Sequence, residues 1–159
     1  RAAADADLLA ELEAFLAAQN RPPLTEVERG QMLRAMPGLK ERAKTLPQIL
    51  DMASFILLAP PFEAGEAAAR ALASVPAETL EKLTSRLRNA RWMASDLETA
   101  VREFAAAEGL GLGKVAQPLR VALSGRTVSL GVFDMLEILG REESLARLDA
   151  CTKTVPSRT

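Results

Sequence analysis

An all-α fold of two small helical subdomains, with about eight to ten short helices in total, is predicted by three features of the sequence. Large apolar residues recur at the three- and four-residue spacing of a helix face along most of the chain. Thr-x-x-Glu and Thr-x-x-Gln starts, with stops at Pro or Gly, divide that pattern into segments. Nothing long enough for a strand intervenes: Thr127-Val128-Ser129 is β-like but reads as a turn. At 159 residues, 48% apolar and 26% charged, the chain should bury roughly 70% of its extended surface, so its core needs no disulfide or metal.

Leu8, Leu9, Leu12, Phe15 and Leu16 share one helical face, and this first helix stops before Arg21-Pro22-Pro23. Thr25-Glu26-Val27-Glu28 reads as a capping box. The Thr hydroxyl accepts from the NH of residue 28 and the Glu reaches back, opening a second helix that runs to Met36-Pro37-Gly38. Thr45 caps a third, with Pro47 in its first turn and Ile49, Leu50, Ala53, Ile56 and Leu57 as its buried stripe. That helix should end at Pro60-Pro61, whose fixed φ angles divide the chain into subdomains 1–59 and 62–151, with 152–159 as a tail. An Ala-rich segment from Glu66 to Ala73 follows, then a helix after Val75-Pro76 bearing Leu80, Leu83 and Leu87. Ser95-Asp96-Leu97-Glu98 reads as another capping box, opening a helix with Leu97, Val101 and Phe104 inward and ending at Gly109. A segment ending near Gly125, a helix from Gly131 to Leu139 and a short final helix with Leu145 and Leu148 complete the order.

Composition removes whole classes of chemistry. The sequence has no histidine, which excludes Ser/His/Asp and Cys/His nucleophilic sites, His-ligated metals and His acid/base catalysis. A lone cysteine, Cys151, rules out an internal disulfide framework and a multi-cysteine zinc site, and fits a reducing, cytoplasmic compartment. The longest apolar run, Phe55 to Ala59, falls far short of the roughly 20 residues of a membrane span. The chain begins with Arg1 and carries no leader pattern, so it is expected to be a piece of a longer protein. Twenty Lys and Arg balance 21 Asp and Glu, which argues against indiscriminate grip on nucleic acid. The balance is uneven along the chain: Lys82, Arg86, Arg88 and Arg91 stand in a stretch without acids, as do Lys114, Arg120 and Arg126.

Gly109-Leu110-Gly111-Leu112-Gly113-Lys114 is not a phosphate loop. Glu108 stands where such a loop needs Gly, Val115 where it needs a hydroxyl, and no strand precedes it. The glycines read as a helix stop followed by a flexible joint. Glu142-Glu143 and Glu11-x-Glu13 point apart on a helix, cannot converge as an acid/base pair, and read as solvated faces. No catalytic residue and no metal ligand is assigned.

Gln117 and Arg120 are different in kind. One helical turn apart, they project an amide and a planar guanidinium from one face beside a Gly-bounded turn, equipment that can stack on and hydrogen-bond a single-stranded base. A helix surface with a salt-bridged Arg is the bland alternative.

The run from Gly113 through Gln117-Pro118-Leu119-Arg120 to Arg126, then Ser129-Leu130-Gly131-Val132-Phe133 and Leu136 to Gly140 with Glu142 to Leu148, resembles the C-terminal anticodon-binding region of bacterial glutamyl-tRNA synthetases. Arg42-Ala-Lys-Thr-Leu-Pro-Gln-Ile-Leu-Asp51 with Ala53-Ser54-Phe55 is similar to that family's earlier anticodon-binding subdomain. The resemblance implies part of a class I glutamate–tRNA ligase whose catalytic domain, with its ATP, magnesium and glutamate, lies outside these residues; alone, the chain should form no glutamyl-adenylate. It implies that Gln117 and Arg120 contact anticodon bases, with the turn of Ser129, Leu130 and Val132 packed against them. Leu130 replaces the family's usual Pro, and Ser124 stands where Thr is common. Arg42 matches the Arg that recognises the third anticodon base, where the tRNAs for glutamate and glutamine differ. The implied partner is the tRNA for glutamate, with that for glutamine a second candidate, bound by a monomer. Arg86, Arg88, Arg91 and Lys114, from the acid-poor stretches, are the expected phosphate contacts. A helical protein-interaction module is the alternative function, and would use an exposed apolar groove instead.

Overall fold

The computed structural model describes residues 2–57, 65–127 and 129–154, and these form ten α-helices and no strand. The chain divides into two compact units, Arg1–Leu58 and Ala59–Thr159. Pro60-Pro61 lies outside the described residues.

In the first unit α1 (Ala2–Ala18) and α2 (Glu26–Arg42) run antiparallel, since Glu13 pairs with Arg29 at 3.2 Å while Asp5, about two turns earlier, pairs with Lys40 near the far end of α2. The chain leaves α1 through Asn20 at φ +60°. Arg21 N–H donates to the Leu16 carbonyl and Asn20 N–H to that of Ala17, a Schellman closure in which Asn fills the position usually given to Gly. Both faces of the predicted capping box form: Glu28 N–H donates to Thr25 Oγ1 at 3.1 Å and Thr25 N–H to the Glu28 carboxylate at 2.9 Å.

Pro37 does not end α2, which continues to Arg42. Met32, Ala35, Met36 and Leu39 form one buried stripe that spans the proline, so stopping at residue 36 would unbury Leu39. Pro37 itself faces solvent, where water can serve the carbonyl its ring leaves without a donor. Thr45 caps α3 (Leu46–Met52) with Gln48 as reciprocal partner. The expected single third helix is broken at Ala53, where φ −91° and ψ 7° leave the helical region, and α4 (Ser54–Leu57) follows. On a straight helix Phe55 would point well away from the Ile49, Ala53 and Ile56 face; the break lets it join Ile56 in the core, fully buried.

The second unit is built on α8 (Leu112–Ser124), against which α5 (Glu66–Leu72), α7 (Ala94–Ala107), α9 (Val132–Leu139) and α10 (Arg141–Thr154) pack, with α6 (Ala77–Arg88) between α7 and α10. Covered from several sides, the second half of α8 buries Pro118, Leu119, Val121, Ala122, Leu123 and Ser124 in nearly continuous sequence. Leu80, Leu83 and Leu87 of α6 and Leu97, Val101 and Phe104 of α7 face inward as their spacing predicts.

Ser95 caps nothing. Helix α7 begins two residues earlier than that box implies, at Ala94, with Met93 in the cap position and no side-chain cap bond. Trp92 Nε1 donates to the Leu136 carbonyl at 2.7 Å, and this anchor sets where the chain turns into α7, placing Ser95 already inside the first turn. At its other end Leu110 N–H reaches the Ala105 carbonyl at 2.8 Å and Gly109, at φ +71°, reaches that of Ala106, so the glycine segment closes α7 tightly and hands the chain to α8 at Gly111. The final helix, expected to be short, extends over 14 residues to Thr154.

Its first half ties the unit together. Arg141 donates to the carbonyls of Arg88 and Ala90, both at 2.8 Å, and lies 5.4 Å above the Trp92 ring. Ser144 donates to the Leu136 carbonyl at 3.3 Å, and Arg147 to the Leu123 carbonyl at 2.6 Å. Spaced by three, these side chains collect carbonyls at or just past the C-terminal ends of α6, α9 and α8, where helices run short of their own donors; the Leu136 carbonyl also accepts from Gly140 N–H at 2.9 Å.

Candidate nucleic-acid interface

The corner between α8 and α9 is made by local chemistry. Gly125 ends α8 in the left-handed region at φ +73°, and Ser124 Oγ accepts from Arg126 N–H at 3.1 Å while donating to the Arg120 carbonyl at 2.8 Å. The chain then returns past the α8 face that carries Gln117 and Arg120. Gln117 Nε2 donates to the Thr127 carbonyl at 3.0 Å; Arg120 Nη1 donates to Ser129 Oγ and to the Leu130 carbonyl, each at 3.0 Å; and Arg120 Nε donates to Gln117 Oε1 at 3.3 Å. Two side chains one helical turn apart thus hold both arms of the corner, and each holds the other.

Ser129, Leu130 and Val132 are buried. Their side chains serve the core, and Ser129 and Leu130 also offer oxygens to Arg120. The replacement of Pro by Leu at 130 leaves the turn held by the guanidinium and by Ser129 Oγ, which donates to the Leu130 carbonyl at 2.7 Å. Gly131 opens α9 beside Asp134, whose carboxylate would stand 3.2 Å from a Cβ there.

Gln117 and Arg120 are both half-buried, at the surface of the corner. An amide carries two N–H donors and two acceptor lone pairs, and among the described residues Gln117 commits one of each. That leaves the amide one donor and one acceptor, the two kinds of group with which a side chain reads the edge of a nucleobase. The sequence places Thr127 in a turn but gives no sign that its carbonyl meets Gln117 or that the Ser124 hydroxyl staples the corner; the signal available was only Ser-Gly after an apolar helix.

The expected phosphate contacts differ in how far they are already paired. Arg86 pairs with Glu103 at 2.7 Å, Arg88 with Asp149 at 3.2 Å and Arg91 with Asp96 at 3.8 Å, so α7 and α10 bring carboxylates to a stretch that lacks them in sequence. Lys82 is likewise 3.8 Å from Glu108. Lys114, exposed in the first turn of α8, has no ion pair among the described residues. Surface pairs of this kind are worth about 0–1 kcal/mol and can exchange a carboxylate for a phosphate. The acidic pairs read as solvated faces also find cations: Glu13 meets Arg29, and Glu143 meets Arg147 at 2.8 Å. Arg42 closes α2 in the first unit, exposed, with its guanidinium 3.5 Å from the Gly38 carbonyl and 3.9 Å from Glu41. No group of three or more Cys, Asp or Glu among the described residues is placed to hold a metal ion, and none of the described helices is long and apolar enough to cross a membrane.

Comparison with known proteins places this corner in a family. The profile of the anticodon binding domain matches residues 7–152, and the chain belongs to that family. It is 50% identical over 144 residues to glutamate–tRNA ligase 2 of Ruegeria pomeroyi, a match covering 91% of this chain and 31% of the relative. Glutamate–tRNA ligase 1 of Sphingopyxis alaskensis is 52% identical over 130 residues, covering 80% of this chain and 26% of that protein. The chain therefore spans about a third of the length of the curated relatives it matches. Among solved structures, a glutamate tRNA ligase from Elizabethkingia meningosepticum in complex with its amino acid superposes with a TM-score of 0.79 at 27% identity, over 95% of this chain and 29% of that one.

Proposed function

We propose that this chain reads the anticodon loop of the tRNA for glutamate, as the anticodon-binding part of a glutamate–tRNA ligase whose ATP, magnesium and glutamate are handled by a catalytic domain outside these residues. The observation that carries the reading is the α8–α9 corner: Gln117 and Arg120 sit half-exposed on one face, braced against Thr127, Ser129 and Leu130, with amide capacity left for a base edge. The bracing matters energetically. A side chain already ordered by the protein loses less entropy when a base arrives than one that must be ordered by it. Arg42 would contact the third anticodon base, and an Arg that demands cytosine there would separate the tRNA for glutamate from that for glutamine. Lys114 and Arg91 would supply phosphate contacts, and the protein would work as a cytoplasmic monomer.

A binding titration of the chain with the anticodon stem-loop of the tRNA for glutamate, at two salt concentrations, tests this. Affinity should fall with salt, the logarithmic slope being about −0.7 per phosphate neutralised on a single strand. Absence of binding at low salt, or binding that ignores salt, would refute the proposal.

A further inference from the structure

We propose that Arg147, on α10, is a positioning residue for anticodon discrimination. The inference rests on the reading of the α8–α9 corner given above. Arg147 acts on the end of the helix that carries Gln117 and Arg120. It is 5% exposed, and its Nη1 donates to the Leu123 carbonyl across 24 residues of sequence. Its Nε donates to Glu143, one turn back on α10, at 2.8 Å, so the buried charge is paired and its orientation fixed.

Leu123 is the residue before Ser124, whose hydroxyl staples Arg126 N–H and the Arg120 carbonyl. A cation at the C-terminus of α8 also meets the negative end of that helix. From Arg147 the connection therefore runs to the Leu123 carbonyl, through one peptide bond to Ser124, and from there to both arms of the corner. If α8's last turn frays or shifts, Gln117 and Arg120 stay on their helix but lose register with the Thr127 and Leu130 carbonyls they brace. A shift of this sort leaves phosphate attraction nearly intact and damages base discrimination.

Arg141 provides the internal comparison. It stands on the same helix and also closes a helix C-terminus, but that of α6, through Arg88 and Ala90. A purely structural role for α10's arginines predicts that the two behave alike.

The experiment uses the full-length protein and measures the ratio of its affinities for the glutamate anticodon loop and for the same loop with one anticodon base changed, alongside thermal unfolding. Arg147→Met should cut the ratio about tenfold, toward unity, while binding to the altered loop stays within about twofold of wild type. Arg147→Lys, which keeps the charge but cannot serve both Leu123 and Glu143 with a planar fork, should fall between them. Arg141→Met should lower the unfolding temperature and leave the ratio unchanged. A wild-type ratio in folded Arg147→Met, or an equal loss in Arg141→Met, overturns the role. Should Arg147→Met fail to fold, Arg147→Lys decides by itself: a loss of about threefold supports the role and an unchanged ratio refutes it. A wild-type protein that does not distinguish the loops refutes the underlying reading and this inference with it, whereas a discriminating wild type with unchanged Arg147 variants refutes the inference alone.

Discussion

At the scale of single residues, backbone conformation and burial make separable demands. Asn20 occupies the left-handed region at φ +60°, where a β-carbon costs roughly 1–2 kcal/mol unless the residue is Gly or a short polar one. Asn20→Ala should therefore lower stability by about 1 kcal/mol and Asn20→Gly should leave it unchanged or raise it, as read from urea unfolding midpoints. Cys151 supplies a pH dependence, because burial pushes its thiol above the ordinary value. The neutral thiol is the form the fold prefers. Its contribution is present in full below the unfolded thiol's pKa and is lost as pH rises through the folded one. Stability should thus drop between pH 7 and pH 10 by less in Cys151→Ser than in wild type, a difference that unfolding curves at the two pH values measure.

At the scale of elements, what could be read from the sequence was whatever the chain decides within about one turn. Thr25 and Thr45 cap as read, because both partners of each box lie three residues apart. Gln117 and Arg120 share a face for the same reason. The rest depended on partners distant in sequence. Pro37 fails to stop α2 because Leu39 has a core to enter, and Ser95 fails to cap because Trp92 is anchored on a helix 44 residues away. Arg141 and Arg147 gave no local sign of closing other helices, and the acid-free stretch from Lys82 to Arg91 is neutralised by α7 and α10. The bracing of Arg120 on Ser129 and Leu130 was legible only through the family resemblance, since no spacing rule connects residues across a Gly-bounded turn. Because Pro37 is exposed and costs a helix interior about 3 kcal/mol relative to Ala, Pro37→Ala should stabilise the first unit by about 1–3 kcal/mol, raising its unfolding midpoint. Pro118 should not behave this way, since it is buried in α8 and its ring is part of the packing.

At the scale of the whole molecule, a net charge of −1 supplies no general attraction for RNA, so any grip must come from where cations stand unneutralised. The ion pairs rank them. Lys114 has no pair among the described residues and Arg91 has only a 3.8 Å one, whereas Arg86 must release Glu103 from 2.7 Å. Lys114→Ala and Arg91→Ala should each flatten the salt dependence of stem-loop binding by about 0.7 in logarithmic slope, and Arg86→Ala by less.

The central claim, that the braced Gln117 and Arg120 pair reads bases, is tested most directly by Arg120→Ala, assayed against the glutamate anticodon loop and an unrelated loop of equal length, with circular dichroism confirming the fold. A base contact or stack is worth about 1–3 kcal/mol, so the account predicts a ten- to hundredfold loss on the glutamate loop and little change on the other. Equal losses on both loops in a folded variant would make Arg120 a brace of the corner and a phosphate contact, and would contradict the claim.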